Sequence, residues 1–327
     1  MIRGALFALA AIGVARPAAA DSNDLIMSRL ATRFSDGGRV LSVVAQNLEF
    51  RALSSQLGVT LAPRLMTPAD TLGFGGFQFV LDGSSSVIDD KQPYWRALAS
   101  SPDPLGTEGQ RHGRGVLRTI GMFARKGLWF PVPSFELGVG AVHIVDSQMW
   151  AAQAYGKISL HEGYHELPIP SIAVRGAVSR MMNERELDLT VISFDGTVSK
   201  HFGIGGTWRL DPFAGYGLLM IIPRSSVIEA TPDIDPTNPD DITDVSNNFV
   251  FPDQAAIYRH RLFVGAKLQY SVVQLTLEAQ YALAGSSVDH RTATGELCMP
   301  SSMTTGCDAK DIAAAQATVS ASAGIDF

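Results

Sequence analysis

The sequence has little of two things, and each scarcity excludes a class of protein. Beyond its first 20 residues it has no apolar run near the 18 or so residues that a membrane-spanning helix needs, which excludes a helical membrane protein. It has no basic excess, because 26 Lys and Arg stand against 32 Asp and Glu, a net charge of −6 at pH 7. Without a basic run, nucleic acid is excluded as a partner.

The first 20 residues predict a secretory signal peptide. A short positive start at residues 1–3 precedes an apolar run at residues 4–14, and three alanines at residues 18–20 offer a cleavage site before Asp21. The residue directly after this site is Asp21 and not a cysteine, which argues against a lipoprotein. A hydrophobic fraction of 46% and a mean hydropathy of +0.12 are high for an exported, water-soluble chain. A transmembrane β-barrel resolves this tension, since alternating strands hide an apolar face from hydropathy windows.

The C-terminal stretch makes that interpretation specific. From Ala315 to Phe327 every odd position is apolar, and every even position is polar or glycine. With this strand the sequence resembles bacterial outer-membrane β-barrel proteins, whose last strand typically ends in an aromatic residue. The resemblance implies that Phe327 is a signal for the barrel-assembly machinery. It also implies location in the outer membrane of a Gram-negative bacterium, with outer-membrane lipid as a partner.

Alternation of period two recurs along the chain and predicts about twelve strands of the length that crosses a bilayer. Apolar positions switch from even to odd near Ser271 and Val272, which predicts a tight hairpin there. Ten strands result if the weak first segment belongs to an N-terminal extension. The predicted segments are 39–46, 53–65, 72–81, 116–126, 133–145, 148–161, 171–182, 189–202, 207–222, 262–270, 273–283 and 315–327.

The predicted fold is therefore all-β, an antiparallel up-and-down transmembrane barrel spanning residues 38–327. Residues 21–37 are assigned to an N-terminal periplasmic segment, and residues 22–37 favour a short amphipathic helix that serves as a plug or a periplasmic arm. The three long connections, at about 83–114, 223–257 and 285–311, all follow odd-numbered strands. They therefore fall on one side, as expected of long extracellular loops opposite short periplasmic turns.

Charged side chains of both signs alternate with the lipid-facing positions and are predicted to line the lumen. Charges are costly in a dry interior unless they are paired, so they either sit in a water-filled channel or pair across a closed barrel. Their near balance argues against strong ion selectivity. The predicted lumen-lining residues are Arg125, Glu136, Lys157, Arg175, Asp195, Arg209, Asp211, Lys267 and Glu278.

A zinc-protease pattern, H-E-x-x-H, occurs at His161–His165. That chemistry needs a helix to bring both histidines to one face, and here a strand-like segment leads into prolines at 168 and 170. We interpret it as a chance match in a periplasmic turn. No catalytic residue, metal site or cofactor is therefore predicted.

Two loops carry further candidates. Residues 229–244 cluster five aspartates among prolines, which favours a solvated acidic loop over a Ca²⁺ site because the spacing departs from that of an EF-hand. Cys298 and Cys307 share the last long loop, and in an oxidising compartment they predict a disulfide. The loop from Gly83 to Arg114, with Trp95, either folds into the lumen or stands outside.

Three function classes follow. The favoured one is a passive channel or transporter for small solutes, because about twelve strands enclose a lumen lined with polar groups. The second is a closed structural, adhesive or receptor barrel that acts through its extracellular loops. The third is a membrane-embedded hydrolase, for which the sequence offers no Ser, His and Asp at one level of the membrane.

Overall fold

The computed structural model describes residues 20–36, 39–107, 109–130, 134–162, 169–230, 248–285, 291, 296–298 and 312–327. Its first part holds a 3₁₀ helix, Met27–Leu30, then a two-stranded sheet of β1 (Ala31–Asp36) and β2 (Arg39–Ala45), then helix α1 (Asn47–Thr60). Within the described ranges, no helix combines the length and apolarity needed to cross a membrane.

A large antiparallel sheet follows and closes on itself. Strands that follow one another in the chain pair with each other, except that Leu187–Ser199 pairs with Trp208–Ser225 and not with the short strand Phe202–Ile204 between them. The pairing of the last strand, Gln316–Asp326, with the first, Phe77–Val87, completes the circle. A second 3₁₀ helix, Pro93–Ala97, lies between the first two of these strands. The strands are β3 (Phe77–Val87), β4 (Val116–Leu128), β5 (Phe135–Ile144), β6 (Trp150–His161), β7 (Ser171–Met182), β8 (Leu187–Ser199), β9 (Phe202–Ile204), β10 (Trp208–Ser225), β11 (Ile257–Tyr270), β12 (Val273–Ala282) and β13 (Gln316–Asp326).

Counted over the described residues, ten strands form the closed barrel, and the short β9 pairs only with β10 at its rim. The predicted all-β antiparallel barrel is confirmed, with the lower of the two strand numbers. The hairpin predicted at Ser271 and Val272 is also present, because Tyr270 and Val273 pair directly across it. Ser271 adopts a φ of 52°, a left-handed conformation that a two-residue turn requires.

Side chains alternate between the two faces of the barrel as the sequence pattern predicts. Along β7 the odd-numbered residues are buried inside the barrel, and the even-numbered residues are exposed on its outer face. Most exposed outer positions are apolar, and they include Leu137, Val139, Val174, Phe194, Val264, Leu277 and Val319. This outer band gives the barrel a hydrocarbon-facing surface.

Two of the predicted strands are not in the barrel. Residues 53–65, read as a strand, form most of α1 and the chain after it, and the segment at 39–46 is β2, which lies outside the barrel sheet. The alternation of Leu57, Val59 and Leu61 resembles a strand, but Phe50, Leu53 and Leu57 are spaced as on a helix, and all of them are buried. The barrel begins at Phe77 rather than at residue 38.

The two ends of the barrel differ in their connections. One end carries the connections at 88–115, 145–149, 183–186, 226–256 and 283–315, whereas the other has short turns, including one of two residues at 271–272. Long loops mark the extracellular end of outer-membrane barrels. The two predicted strands that are not in the barrel both precede it, so every later strand keeps its odd or even number. The long loops therefore remain on the predicted side.

The N-terminal residues lie at this outer end. Asn23 N donates to Asp146 O at 2.8 Å, and Ile26 N donates to Ala97 O at 2.7 Å, both acceptors lying in outer connections. This position differs from the predicted periplasmic segment, because apolar residues such as Met27 and Leu30 bury themselves under the outer loops. We call residues 20–46 together with the connection 88–115 the cap, and residues 47–76 the plug.

Candidate functional site

The plug runs through the barrel from the outer end to the periplasmic end. Near its start, Arg51 Nη1 donates to Asp253 Oδ1 in an outer loop at 3.1 Å. Near its end, Thr71 N donates to Glu162 Oε1 at the periplasmic end of the barrel at 3.0 Å. Between them the backbone passes strand side chains at every level. The lumen that the sequence predicted is therefore occupied by the chain itself.

Helix α1 fills the outer half of the barrel with apolar side chains. Phe50 stacks on Phe251 with ring centroids 4.4 Å apart. At Gly58 the helix lies so close to β10 that a Cβ there would come within 2.7 Å of the Ile221 side chain. Each fully buried Leu or Phe side chain contributes about 1.5–3 kcal/mol, so this apolar contact holds the helix firmly. The strand residues of the same buried apolar cluster include Leu117, Ile144, Leu189, Val191, Leu219, Ile221 and Ile257.

The periplasmic half of the interior is polar and holds residues 61–76 by their backbone. This segment has no helix or strand of its own, so its amide groups need partners elsewhere. Glu278 Oε2 accepts from Met66 N at 2.8 Å, and Ser199 Oγ accepts from Ala69 N at 3.0 Å. Lys157 Nζ donates to the carbonyls of Pro68 at 3.2 Å and Asp70 at 2.9 Å. Side chains of the barrel strands thus provide the hydrogen-bond partners that these backbone groups would otherwise find in a helix or a sheet.

The predicted lumen-lining residues all point into the barrel, where most of them form ion pairs and Arg125 and Glu278 bind uncharged partners. The tightest cluster joins Arg175, Asp195 and Arg261: the Asp195 carboxylate lies 2.7 Å from Arg175 Nη2 and 2.9 Å from Arg261 Nη2. Arg175 also donates to the carbonyl of Arg64 in the plug. Asp195 is 4% exposed, so its charge is balanced inside the protein rather than by water.

A second cluster lies around Glu136. Lys157 Nζ is 3.2 Å from Glu136 Oε2, and the Tyr155 hydroxyl donates to Glu136 Oε1 at 2.6 Å. Tyr155 therefore faces inward, although its aromatic ring suggests a place at the membrane interface. Gly138 makes room for it, because a Cβ there would overlap the Tyr155 ring. Arg125 Nη1 donates to Gln78 Oε1 at 2.8 Å beside this cluster.

The remaining predicted residues meet at the periplasmic mouth. Arg209 Nε lies 2.7 Å from Asp211 Oδ2, and its Nη2 lies 3.5 Å from Asp70 Oδ2 in the plug. His201 Nδ1 is 2.7 Å from Asp211 Oδ1, and Lys267 Nζ is 3.2 Å from Asp326 Oδ2. A polar cavity of about 300 Å³ remains between these groups. It is lined by Thr67, Pro68, Asp70, Thr71, Leu72, Gln78, Arg125, Glu136, Lys157, Arg209, Lys267, Gln269, Asp326 and Phe327.

Sequence reasoning missed several interior residues. Arg261 and Arg259 were within reach, because they extend the odd-numbered inward face of β11 beyond the predicted start of its strand. Asp82 likewise continues the even-numbered inward face of β3, and it lies 3.4 Å from Arg64 Nε. No pattern in the sequence indicated Arg64, because its contacts form only when the plug lies inside the barrel.

The zinc-protease pattern lies at the periplasmic end of β6. His161 ends the strand, and the next residue, Glu162, binds the Thr71 hydroxyl at 2.6 Å. His165 lies outside the described residues. Across the described part of the chain, no three His, Cys, Asp or Glu side chains come together as a metal would require.

The other predicted sites are only partly within the described residues. Cys298 is disulfide-bonded, whereas Cys307, the chain's other cysteine, lies outside the described set, as do the aspartates between 231 and 247. Phe327 closes the barrel: its N and O exchange hydrogen bonds with Phe77 O and N at 2.7 and 2.9 Å. Its side chain is exposed.

The cap rests on the barrel through buried polar contacts. Glu186, in the outer turn 183–186, accepts from Met27 N at 2.8 Å, and burial raises the pKa of this carboxyl.

Within the cap, His112 is fully buried beside Ser101, whose Oγ lies 2.9 Å from His112 Nδ1, and burial lowers the pKa of its imidazole. Trp95 is also buried, so the loop predicted to enter the lumen or stand outside covers the outer end of the plug.

No protein-family model matches the chain, and no curated protein is significantly similar to it in sequence. Among solved structures, the attachment invasion locus protein Ail of Yersinia pestis is 10% identical, with 78% of this chain and 99% of that chain covered and a TM-score of 0.27. In-vitro folded OmpT, an outer membrane protein of Vibrio cholerae, is 10% identical over 65% of this chain and 56% of that chain, with a TM-score of 0.24. Its trimer form is 10% identical over 77% and 100%, with a TM-score of 0.24.

The fold class of the chain follows from the barrel itself. The barrel closes, its strands are antiparallel, its outer band is apolar, and long loops stand opposite short turns. The chain thus has the architecture of the bacterial outer-membrane β-barrel proteins.

Proposed function

We propose that the protein acts as a closed barrel that presents its cap at the cell surface as a structural, adhesive or receptor protein. The observation that carries the proposal is the filled lumen: α1 buries apolar side chains throughout the outer half. Opening a passive pore would expose that apolar contact to water, at a cost of about 1.5–3 kcal/mol for each large side chain. The plug is thus built as part of the folded core.

The cap supports the same proposal. Its two parts are joined at Ala97, and it is tied to two other outer connections, through Asp146 and Glu186, so it has a fixed shape. A fixed surface at the outer end suits recognition of something outside the cell, because little ordering entropy is lost on binding.

Planar bilayers test the closed barrel. The refolded protein, with heat-modifiable gel mobility as evidence of folding, is expected to give no stable conductance steps. A variant lacking residues 47–76 is the matched control, and when folded it should conduct. Stable steps from the intact protein would contradict the proposal and support a passive channel for small solutes.

Surface labelling tests the position of the cap. Ser42 is exposed on β2, and Gly203 is exposed on β9 at the other end of the barrel. Intact cells carrying Ser42→Cys should react with a membrane-impermeant maleimide, and cells carrying Gly203→Cys should not. The reverse pattern would contradict the orientation.

Gated passage of small solutes is the second candidate, favoured by the polar cavity of about 300 Å³ at the periplasmic mouth. It requires movement of residues 61–76, which polar contacts hold. Conductance that appears only under conditions that release this segment, such as high salt, would support it.

We also propose that the protein is not an enzyme. Glu162, the general base that the zinc-protease pattern would require, is engaged by Thr71 N and Oγ1. Replacing His161 and His165 with Ala should leave the folded yield unchanged. Loss of bound zinc together with a hydrolytic activity would contradict this part of the proposal.

A further inference from the structure

A cleft of about 310 Å³ opens in the cap between the first 3₁₀ helix, the start of β1 and the loop at 104–105. Among the described residues, its lining contains three arginines and no carboxylate. The lining residues are Ser28, Arg29, Ala31, Thr32, Arg33, Arg96, Pro104 and Leu105. The cleft is separate from the barrel interior and lies at the outer end of the molecule.

Two of the arginines hold each other in place. Arg29 Nη1 donates to the carbonyls of Arg96 at 3.2 Å and Leu98 at 2.6 Å, and Arg96 Nε donates to Arg29 O at 2.6 Å. Arg96 is paired with the Glu49 carboxylate. Within the described residues Arg29 has no carboxylate partner, although it is partly buried and burial lowers the pKa of its guanidinium. Its positive charge is thus left for a ligand to balance.

Arg33 adds a second cation without a carboxylate partner in the described part of the chain. It is exposed on β1, two positions after Ala31, and its side chain lines the same cleft. Guanidinium groups bind phosphate oxygens through paired hydrogen bonds, so two neighbouring arginines favour a phosphate group.

Pro104 and Leu105 form an apolar part of the lining, and the turn that carries them is held in shape. Asp103 Oδ1 accepts from Leu105 N at 2.9 Å and its Oδ2 from Thr107 N at 2.6 Å, which fixes the turn. Gly106 adopts a φ of +76°, and a Cβ there would lie 2.6 Å from Arg96 Cδ, so the turn packs directly on that arginine. Leu105 is 88% exposed and offers an apolar surface beside the cations.

We propose that this cleft binds a sugar phosphate, with the phosphate on Arg29 and Arg33 and the sugar ring against Pro104 and Leu105. The inference rests on the proposed role of the cap as a recognition surface. A volume of about 310 Å³ lies at the lower end of the range of small-molecule sites, which suits one phosphorylated sugar unit. Two sources share this chemistry: the phosphorylated headgroup of an outer-leaflet lipid and a free sugar phosphate.

Calorimetry on the refolded full-length protein in detergent tests the cleft, with glucose 6-phosphate as the probe and glucose as its uncharged match. Glucose 6-phosphate should bind, more weakly as salt is raised, and glucose should not. Arg33→Gln should weaken binding about tenfold, the loss of one charged hydrogen-bonding partner. Arg29→Gln should do the same, but Arg29 also supports the cap, so the exposed Arg33 gives the decisive variant.

Arg118→Gln is the control, because Arg118 is exposed on β4 at the same end of the barrel and does not line the cleft. It removes the same charge and should leave the affinity unchanged. Absence of binding, equal binding of glucose, or equal weakening in Arg33→Gln and Arg118→Gln would each overturn the proposal.

Added lipopolysaccharide distinguishes the two sources. Competition with glucose 6-phosphate indicates the lipid headgroup, and undiminished binding indicates a free sugar phosphate. A silent barrel that binds no probe would overturn the cleft while leaving the closed-barrel proposal intact. Conductance by the intact protein would instead overturn the closed barrel.

Discussion

Glu278 on β12 and Met66 in the plug are joined by a hydrogen bond of 2.8 Å from the Met66 amide to Glu278 Oε2, across 212 positions of the chain. The contact explains an acidic side chain on the inner face of a strand. Glu278 accepts a hydrogen bond from the backbone of another segment. The same relation holds between Ser199 and Ala69, so polar strand residues match the unpaired groups of residues 61–76.

Replacing Glu278 with Ala is expected to loosen the plug. The Met66 amide would lose its acceptor in a buried place, which costs about 1–3 kcal/mol. Hydrogen exchange should show faster exchange for residues 61–71 and unchanged exchange in α1. Glu278→Gln keeps a carbonyl oxygen in the same position, and it should restore most of the protection. Equal exchange in the Ala variant and the parent protein would contradict the role of this contact.

The Arg175, Asp195 and Arg261 cluster should be the most sensitive electrostatic element. Asp195→Asn leaves two buried guanidinium groups without their shared carboxylate, and breaking a buried pair costs about 3–5 kcal/mol. The midpoint of urea unfolding in detergent should fall accordingly. Asp188→Asn is the control, because its ion pair with Arg180 at 2.9 Å is exposed. That variant should change stability by no more than about 1 kcal/mol. Similar losses in both variants would contradict the buried network.

The barrel was predictable from sequence because each strand carries its own evidence. Alternation identified β7 and β12, and the switch at Ser271 correctly identified β11 as the hairpin partner of β12. The inward positions of Lys157 and Glu278 followed from the same parity. The contacts of those two residues with the plug did not follow from it, because an alternating pattern is the same whether the lumen holds water or protein.

The plug was missed for a physical reason. Helix α1 is enclosed on all sides, so Ser54, Ser55 and Gln56 are buried along with Phe50 and Leu53, and no polar face marks it as a surface helix. Residues 61–76 have no regular structure, and their partners lie far away in the chain. Arg64 meets Asp82 and Arg175 only once the barrel has closed around it.

Gly127 is expected to be required for the passage of the plug. A Cβ at this position would overlap the carbonyl oxygen of Gly73, whose backbone passes the inner face of β4. Gly127→Ala should therefore lower the midpoint of thermal unfolding or the folded yield. Gly196→Ala is the matched control, since nothing lies within 4 Å of the position of its Cβ. A normal yield and midpoint for Gly127→Ala would contradict the close approach.

Phe327 should matter for assembly more than for stability. Its backbone exchanges hydrogen bonds with Phe77, but the residue is 69% exposed and its side chain makes little contribution to the folded state. Phe327→Ala should reduce the amount of folded protein in the outer membrane of cells. In vitro, the refolded variant should unfold within about 0.5 kcal/mol of the parent, as surface substitutions do. A normal yield in cells would contradict an assembly signal at this residue.

The cap should weaken in mild acid through His112. Burial lowers the pKa of this imidazole from its ordinary value of 6.5, and Arg96 acts in the same direction against the opposing effects of Asp103 and Asp90. As the pH falls below about 6.5, the unfolded connection takes up the proton before the folded one does, so stability that is present at higher pH is lost. Hydrogen exchange in the described residues of the connection 88–115 should therefore be faster at pH 5.5 than at pH 8 once corrected for the intrinsic rate. His112→Gln cannot titrate and should remove this pH dependence even if it lowers stability at both pH values. An unchanged pH dependence in that variant would show that another group controls the cap.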